Sequence, residues 1–215
     1  MIKSILKKTP FYKIYLKNKL EQLNTEKITR IIETNKRVRG PLMEKYLPKN
    51  GIGAELGVFR GHFSRVLLDF PKTKRLHLIA PWYFLTGNWT WSGGNNSTVD
   101  ALCLILKDFE KELSEKRVFI HVEDDRKVLN EFEDNYFDWV YIDSSHSYQH
   151  TVDELKILKN KVKNNGIICG DDWRPDPKHR HHGVYVAVKE FMEENNCELL
   201  YSNKENLQWF FKFTK

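Results

Sequence analysis

Between Phe137 and Trp173 the chain reads FDWVYIDSSHSYQHTVDELKILKNKVKNNGIICGDDW. An apolar strand delivers Asp143, a helix crosses over, and a second apolar strand delivers Asp171 and Asp172. Neighbouring strands of a parallel α/β sheet open onto one crevice, where such folds bind ligands. Three carboxylates and His146 therefore converge at one rim, although 28 positions separate Asp143 from Asp171. Carboxylates packed that closely repel unless a cation or protons hold them together. A hard divalent ion is the partner this reading expects, since an all-carboxylate set selects Mg²⁺, Mn²⁺ or Ca²⁺ over zinc. Taken alone, Asp171-Asp172 would equally suit a helix N-cap.

At 215 residues the chain is long enough for one α/β domain with an appendage. Its charge is segregated. Residues 1–39 carry eleven Lys or Arg against Glu21, Glu26 and Glu33, a net of +8, which leaves −2 of the overall +6 for the remainder. We divide the chain into a basic helical segment, 1–39, and a domain, 40–215. The basic segment suits an anionic membrane surface or partner, or else an amphipathic helix packed on the domain or on a second subunit. Because the positive charge lies away from the carboxylates, nucleic acid is not the expected partner. No apolar run is long enough to span a bilayer, and no leader-like apolar segment follows the first lysines. Cys103, Cys169 and Cys197 each sit in an apolar setting and read as reduced core residues of a cytoplasmic protein.

Short apolar strands are expected at 52–56, 75–80, 118–122, 137–142 and 167–169, with a terminal hairpin from 197–202 and 207–213. Helices alternate with them: one with Phe63, Val66, Leu67 and Phe70 inward, one capped by Ser97 and running to about Lys116, one with Thr151 and Glu154 as a capping box, and one marked by Val184 and Val188. His150 is expected at the surface; His179, His181 and His182 either line the substrate entrance or bind a softer metal, or, as favoured here, form a solvated loop before the helix of Val184. Trp82, Trp89 and Trp91 either form a lid for a ring or sugar, or cover the sheet edge. Alternation of this kind predicts a parallel sheet.

The first strand runs into Glu55-Leu-Gly57-Val-Phe-Arg-Gly61. Glycines in that turn let backbone approach a ligand closely, but the G-x-G-x-x-G spacing of a pyrophosphate-binding turn is missing. A nicotinamide-dependent enzyme is therefore disfavoured. Taken with Val122-Glu-Asp-Asp125 after the third strand and the D…DD strand ends, the chain resembles the class I S-adenosylmethionine-dependent methyltransferases, and within them the metal-dependent O-methyltransferases of the catechol and macrocin (sugar) types.

That resemblance, over about Gly51 to Phe213, implies a Rossmann-like seven-stranded mostly parallel sheet with helices on both faces and an antiparallel last strand. It implies that Glu55, Gly57 and Gly61 cradle the methionine part of the cofactor, and that Asp124 or Asp125 lies beside its adenine. It implies that Asp143, Asp171 and Asp172 hold a divalent metal such as Mg²⁺, with His146 as general base. An imidazole is suited to removing a hydroxyl proton near neutral pH. Ala80 stands where the family carries an acid for the ribose hydroxyls; losing such an acceptor costs about 1.5–3 kcal/mol, one to two decades of affinity. The expected activity is O-methylation of a sugar, glycan or other small molecule. The alternative, favoured by Ala80, is a binding or scaffold protein on a methyltransferase fold.

Overall fold

The computed structural model describes residues 29–84 and 97–215. They build one seven-stranded sheet in the order β3-β2-β1-β4-β5-β7-β6. The strands are β1 (Ile52–Leu56), β2 (Arg75–Ile79), β3 (Val118–His121), β4 (Phe137–Ile142), β5 (Val162–Gly170), β6 (Cys197–Ser202) and β7 (Trp209–Phe213). The first five are parallel to one another. β7 runs antiparallel to both β5 and β6, one place in from the edge. The reason is in its sequence: Trp-Phe-Phe-Lys-Phe is apolar on both faces and nearly all buried, whereas β6 is half exposed and suits an edge.

Helices cover both faces. On one side α1 (Gly40–Tyr46), α2 (His62–Asp69), α3 (Ser97–Asp108) and α4 (Glu110–Ser114) pack over a core that includes Met43, Phe63, Ala101 and Trp139. On the other, α5 (Asp125–Glu131), α6 (Tyr148–Lys161) and α7 (His182–Glu194) pack over Val128, Leu155, Val188 and Trp209. Residues 29–34 are helical and lead into a π-helical turn, Asn35–Arg39, directly before α1. The first 28 residues of the basic segment, and with them most of the expected amphipathic helix, lie outside the described residues, as do Trp89 and Trp91.

Some local expectations are corrected. The helix expected from Ser97 to Lys116 is two, with Lys116 in a left-handed turn (φ 56°) at the end. β5 starts at Val162, five residues ahead of the strand expected at 167–169, and its Asn165 (φ 63°) lies within it. The capping box does not form. α6 begins at Tyr148, with Ser147 accepting from His150 N, so Thr151 and Glu154 fall one turn inside the helix and are buried. Cys103 is exposed, Cys169 buried and Cys197 half-buried.

Gly57 fixes the top of the sheet. It has φ 87°, and a Cβ there would stand 2.1 Å from the Asp143 carbonyl oxygen. Its N–H bonds to Ile79 O at 2.9 Å, while Asp143 N bonds to Leu56 O at 2.9 Å, locking the ends of β2, β1 and β4 together. Neither the backbone conformation nor the space admits a side chain. Gly57→Ala is therefore expected to lower unfolding free energy by at least about 2 kcal/mol, measured by urea denaturation; a change below 0.5 kcal/mol would contradict this packing.

Candidate functional site

The parallel register sets the site. Glu55 pairs with Tyr141 across β1 and β4, and Ile142 with Gly170 across β4 and β5. Asp143 and Asp171 thus leave the sheet side by side, and Asp171 N bonds to Ile142 O at 3.1 Å. Burial raises the Asp143 carboxyl well above the usual carboxylate range, and the charges of Asp171, Glu55 and Asp172 raise it further. The acids do converge on one rim.

Their oxygens do not converge on one point. Among the described residues, Asp143, Asp171 and Asp172 form no group whose ligand atoms all lie within 4.8 Å of one another. Asp171 Oδ2 accepts from Arg39 at 2.8 Å, and its Oδ1 from Gln208 at 2.9 Å. Arg39 comes from the π-helical turn, where an extra residue per turn re-aims the side chain over Phe63. Burial would lower its basicity, but Tyr141, Asp171 and Asp143 raise it on balance, so it stays a permanent cation at the tips. Gln208 is fully buried and also accepts from Tyr141 OH at 2.7 Å. A guanidinium thus supplies the positive charge that the sequence reading assigned to a metal.

Asp172 faces the other way, at 5% exposure. Its Oδ1 accepts from Arg174 Nε at 2.7 Å, and its Oδ2 meets Nδ1 of both His146, at 2.8 Å, and His181, at 2.6 Å. Burial alone would raise this carboxyl; the bonds from His146 and Arg174 outweigh it and hold the group well below the usual range. The two imidazoles stack with centroids 4.5 Å apart and planes 7° from parallel. His146 and Asp172 both adopt left-handed backbone, φ 57° and 63°. Such strain in two directly bonded residues is the kind the surroundings must over-determine, and it gathers at functional sites. Nε2 of His146 faces Asp143 Oδ1 at 4.0 Å.

The expected adenine and ribose contacts fare differently. Asp124 caps α5 by accepting from Arg126 N at 3.0 Å, and it pairs with the Arg126 guanidinium. Asp125 points into the protein, where both its oxygens meet His150 Nε2 at 2.9 and 3.1 Å. His150, expected at the surface, is buried for that reason. Ala80 is fully buried, and so is Trp82, whose indole donates to Phe59 O at 3.0 Å and packs in the core rather than forming a lid. Tyr83 donates to Glu123 at 2.6 Å.

Arg39, Arg174, Gln208 and His181 are the site residues that sequence reasoning missed. Arg39 lies 132 positions from its partner and in a segment read as a separate appendage. His181 carried a signal, in the histidine-rich run after the strand end, but was assigned to solvent.

The chain matches the model of a methyltransferase domain family over residues 54–173, more than half its length. It belongs to the class I S-adenosylmethionine-dependent methyltransferases. No curated protein matches it. Among solved structures, this methyltransferase is similar in fold to an O-methyltransferase from Bacillus cereus in complex with S-adenosylhomocysteine, at 12% identity and TM-score 0.58, over 88% of this chain and 90% of that one. An S-adenosylmethionine-dependent O-methyltransferase from Thermotoga maritima aligns at 12% identity and TM-score 0.54, over 85% and 65% of the two chains. A tRNA methyltransferase from M. jannaschii aligns at 17% identity and TM-score 0.51, over 82% and 48%.

One observation supports cofactor binding at the first strand. Glu55 is 3% exposed, and its Oε2 has no hydrogen-bond partner. A buried unpaired carboxylate oxygen is costly unless a ligand meets it, and the methyltransferase cofactor carries an ammonium group. Burial pushes the Glu55 carboxyl up to about 7, with Ser64 and Arg39 acting against it. Because the folded state holds this proton more tightly than the unfolded chain, stability falls as pH rises from about 4.5 to 7 and stays low above. The penalty is about 3 kcal/mol. Glu55→Gln is expected to remove it, so the variant should melt above wild type at pH 8 and with it at pH 4.5. Parallel melting curves at both pH values would contradict the assignment.

The Arg39–Asp171 pair makes a separate prediction. Arg39→Ala should cost roughly 1.5–3 kcal/mol in denaturant unfolding, because Asp171 is left partly buried without its cation. Adding Asp171→Asn should recover part of that loss; strictly additive costs would contradict the pairing.

Proposed function

We propose that this methyltransferase transfers a methyl group to a hydroxyl of a small polar acceptor, preferably a sugar or glycan, with His146 as general base. The observation that carries the reading is the strained His146–Asp172 pair at the rim of the cofactor side of the sheet. When bound, S-adenosylmethionine supplies a methyl group on a positively charged sulfur. Glu55, Gly57 and Gly61 are the residues we assign to holding it. Asp172 fixes the His146 ring through Nδ1, leaving Nε2 to take the acceptor's proton, and the carboxylate stabilises the imidazolium that results. Arg39 holds the rim's negative charge in check.

As arranged, the rim does not fit the divalent ion expected from sequence, since such an ion would have to displace Arg39 from Asp171 and both imidazoles from Asp172. No step in this proposal runs through a metal. Beside Arg39 lies a pocket of about 490 Å³, lined by Thr34, Asn35, Val38, Asn203 and Asn206 among others. Its wall is largely apolar, with the amide and hydroxyl groups of Thr34, Asn35, Asn203 and Asn206 interspersed, a mixture that would suit a sugar's ring face and hydroxyls. The domain's net charge of −2 supports a small-molecule acceptor over nucleic acid. Among the described residues no helix is long and apolar enough to cross a membrane.

The scaffold reading keeps one supporting observation, the buried Ala80 where the family carries the ribose acceptor. Calorimetry with S-adenosylmethionine separates the two, since a scaffold would give no binding heat. For the enzyme, screening labelled cofactor against sugars, catechols and RNA should give transfer to a hydroxyl compound. His146→Ala and Asp172→Asn should each lower kcat about 10²–10⁴-fold while cofactor affinity changes less than threefold. Transfer to RNA alone, or full activity in His146→Ala, would overturn the proposal.

A further inference from the structure

A second cluster lies beneath the start of α6. Asp125 opens α5, while His150 and Glu154 sit one turn apart on the same face of α6. All three are buried, at 4%, 8% and 0% exposure. His150 Nε2 lies 2.9 Å from Asp125 Oδ1 and 3.6 Å from Glu154 Oε1. One ligand atom from each residue falls within 4.8 Å of the others.

We propose that Asp125, His150 and Glu154 form a buried site for one divalent first-row transition-metal ion, which ties α5 to α6. The separations bracket the edge of a coordination tetrahedron with bonds of about 2.0–2.1 Å, roughly 3.3 Å. No hydrogen bond of ordinary geometry reaches either oxygen of Glu154 or the buried hydroxyl of Ser144, although Ser144 and Asp125 stand beside the Glu154 carboxyl and interact with it. Orphaned buried polar atoms of this kind call for an ion or a water. The nearest guanidinium does not serve them, because Arg126 is directed to Asp124 and Asp153. One imidazole nitrogen with two carboxylates suits zinc, manganese or cobalt, whereas calcium takes six to eight oxygens and magnesium keeps several waters. The ion would also cancel two negative charges in the apolar layer of Val128 and Leu155.

The group at the rim, His146, Asp172 and His181, is similar in composition. There every side-chain oxygen of Asp172 already has a partner, whereas in the buried cluster Asp125 is paired with His150 but Glu154 is not.

The competing state is a proton on Glu154, since burial and the Asp125 charge both raise that carboxyl well above its usual range. Metal analysis and melting of the full chain decide between them. Wild type should retain about one zinc or manganese ion per chain. EDTA should lower its midpoint, and readdition of Zn²⁺ to 100-fold above Kd should restore roughly 5–10 °C. E154Q should lose both ion and response, and D172N should keep both. Wild type with no ion and no response to Zn²⁺, Mn²⁺ or Co²⁺ overturns the proposal. So does a response lost in D172N but kept in E154Q, which would move the ion to the rim. Should E154Q not fold, Co²⁺-loaded wild type still shows the visible absorption of a four-coordinate site, which H150Q must abolish; no band in wild type counts against the site.

Discussion

Acidic side chains at the ends of adjacent parallel strands repel one another, and everything at this rim follows from how the repulsion is relieved. The register of β1, β4 and β5 leaves no choice about where Glu55, Asp143 and Asp171 emerge. Relief comes from guanidinium and imidazole groups supplied by other parts of the chain. Arg39 arrives from the N-terminal side on a π-helical turn, Arg174 from just beyond β5, and His146 and His181 from the two loops that flank the rim. Asp171 and Asp172 each face partners of their own, so the cluster is divided rather than pooled. That division is why the oxygens of the three aspartates do not converge on one point.

The same division gives the site its chemistry. Asp172 has its charge firmly fixed by its bonds to His146, His181 and Arg174, and it orients an imidazole rather than reacting itself. Glu55 and Asp143 are held toward the protonated side by burial. Groups of one chemical type are thus pushed apart in acidity by environment, the usual way a site separates the group that reacts from those that bind. The positive φ of His146 and Asp172 is a cost of about 1–3 kcal/mol each, offset by bonds that exist only in that conformation.

The fold was largely legible because its signals are local. Apolar runs of strand length, Gly57 at a tight turn and the polar Asn203 to Asn206 turn of the hairpin place six of the seven strands within a residue or two. The exception is β5, whose polar Asn164 and Asn165 hid a strand held by β4 and β7. The site was legible only in part. Asp143, His146, Asp171 and Asp172 meet where the strand ends dictate, but side-chain direction depends on partners far along the chain. Nothing in spacing links Arg39 to Asp171, or Gln208 to Tyr141. Thr151 and Glu154 imitate a capping box, yet the tight turn at His146 starts the helix earlier and turns Glu154 inward. Sequence gave which residues gather; long-range pairing decides which way they face.

The central claim is that Asp172 holds the His146 ring through Nδ1 and leaves Nε2 as the proton acceptor. Long-range proton–nitrogen NMR of the histidine-labelled protein, with His146 assigned from the spectrum of His146→Gln, reads this directly. The account predicts that neutral His146 carries its proton on Nδ1, with an unprotonated Nε2 and a downfield Nδ1 proton that vanishes in Asp172→Asn. A neutral ring protonated on Nε2, or a spectrum indifferent to Asp172, would contradict it.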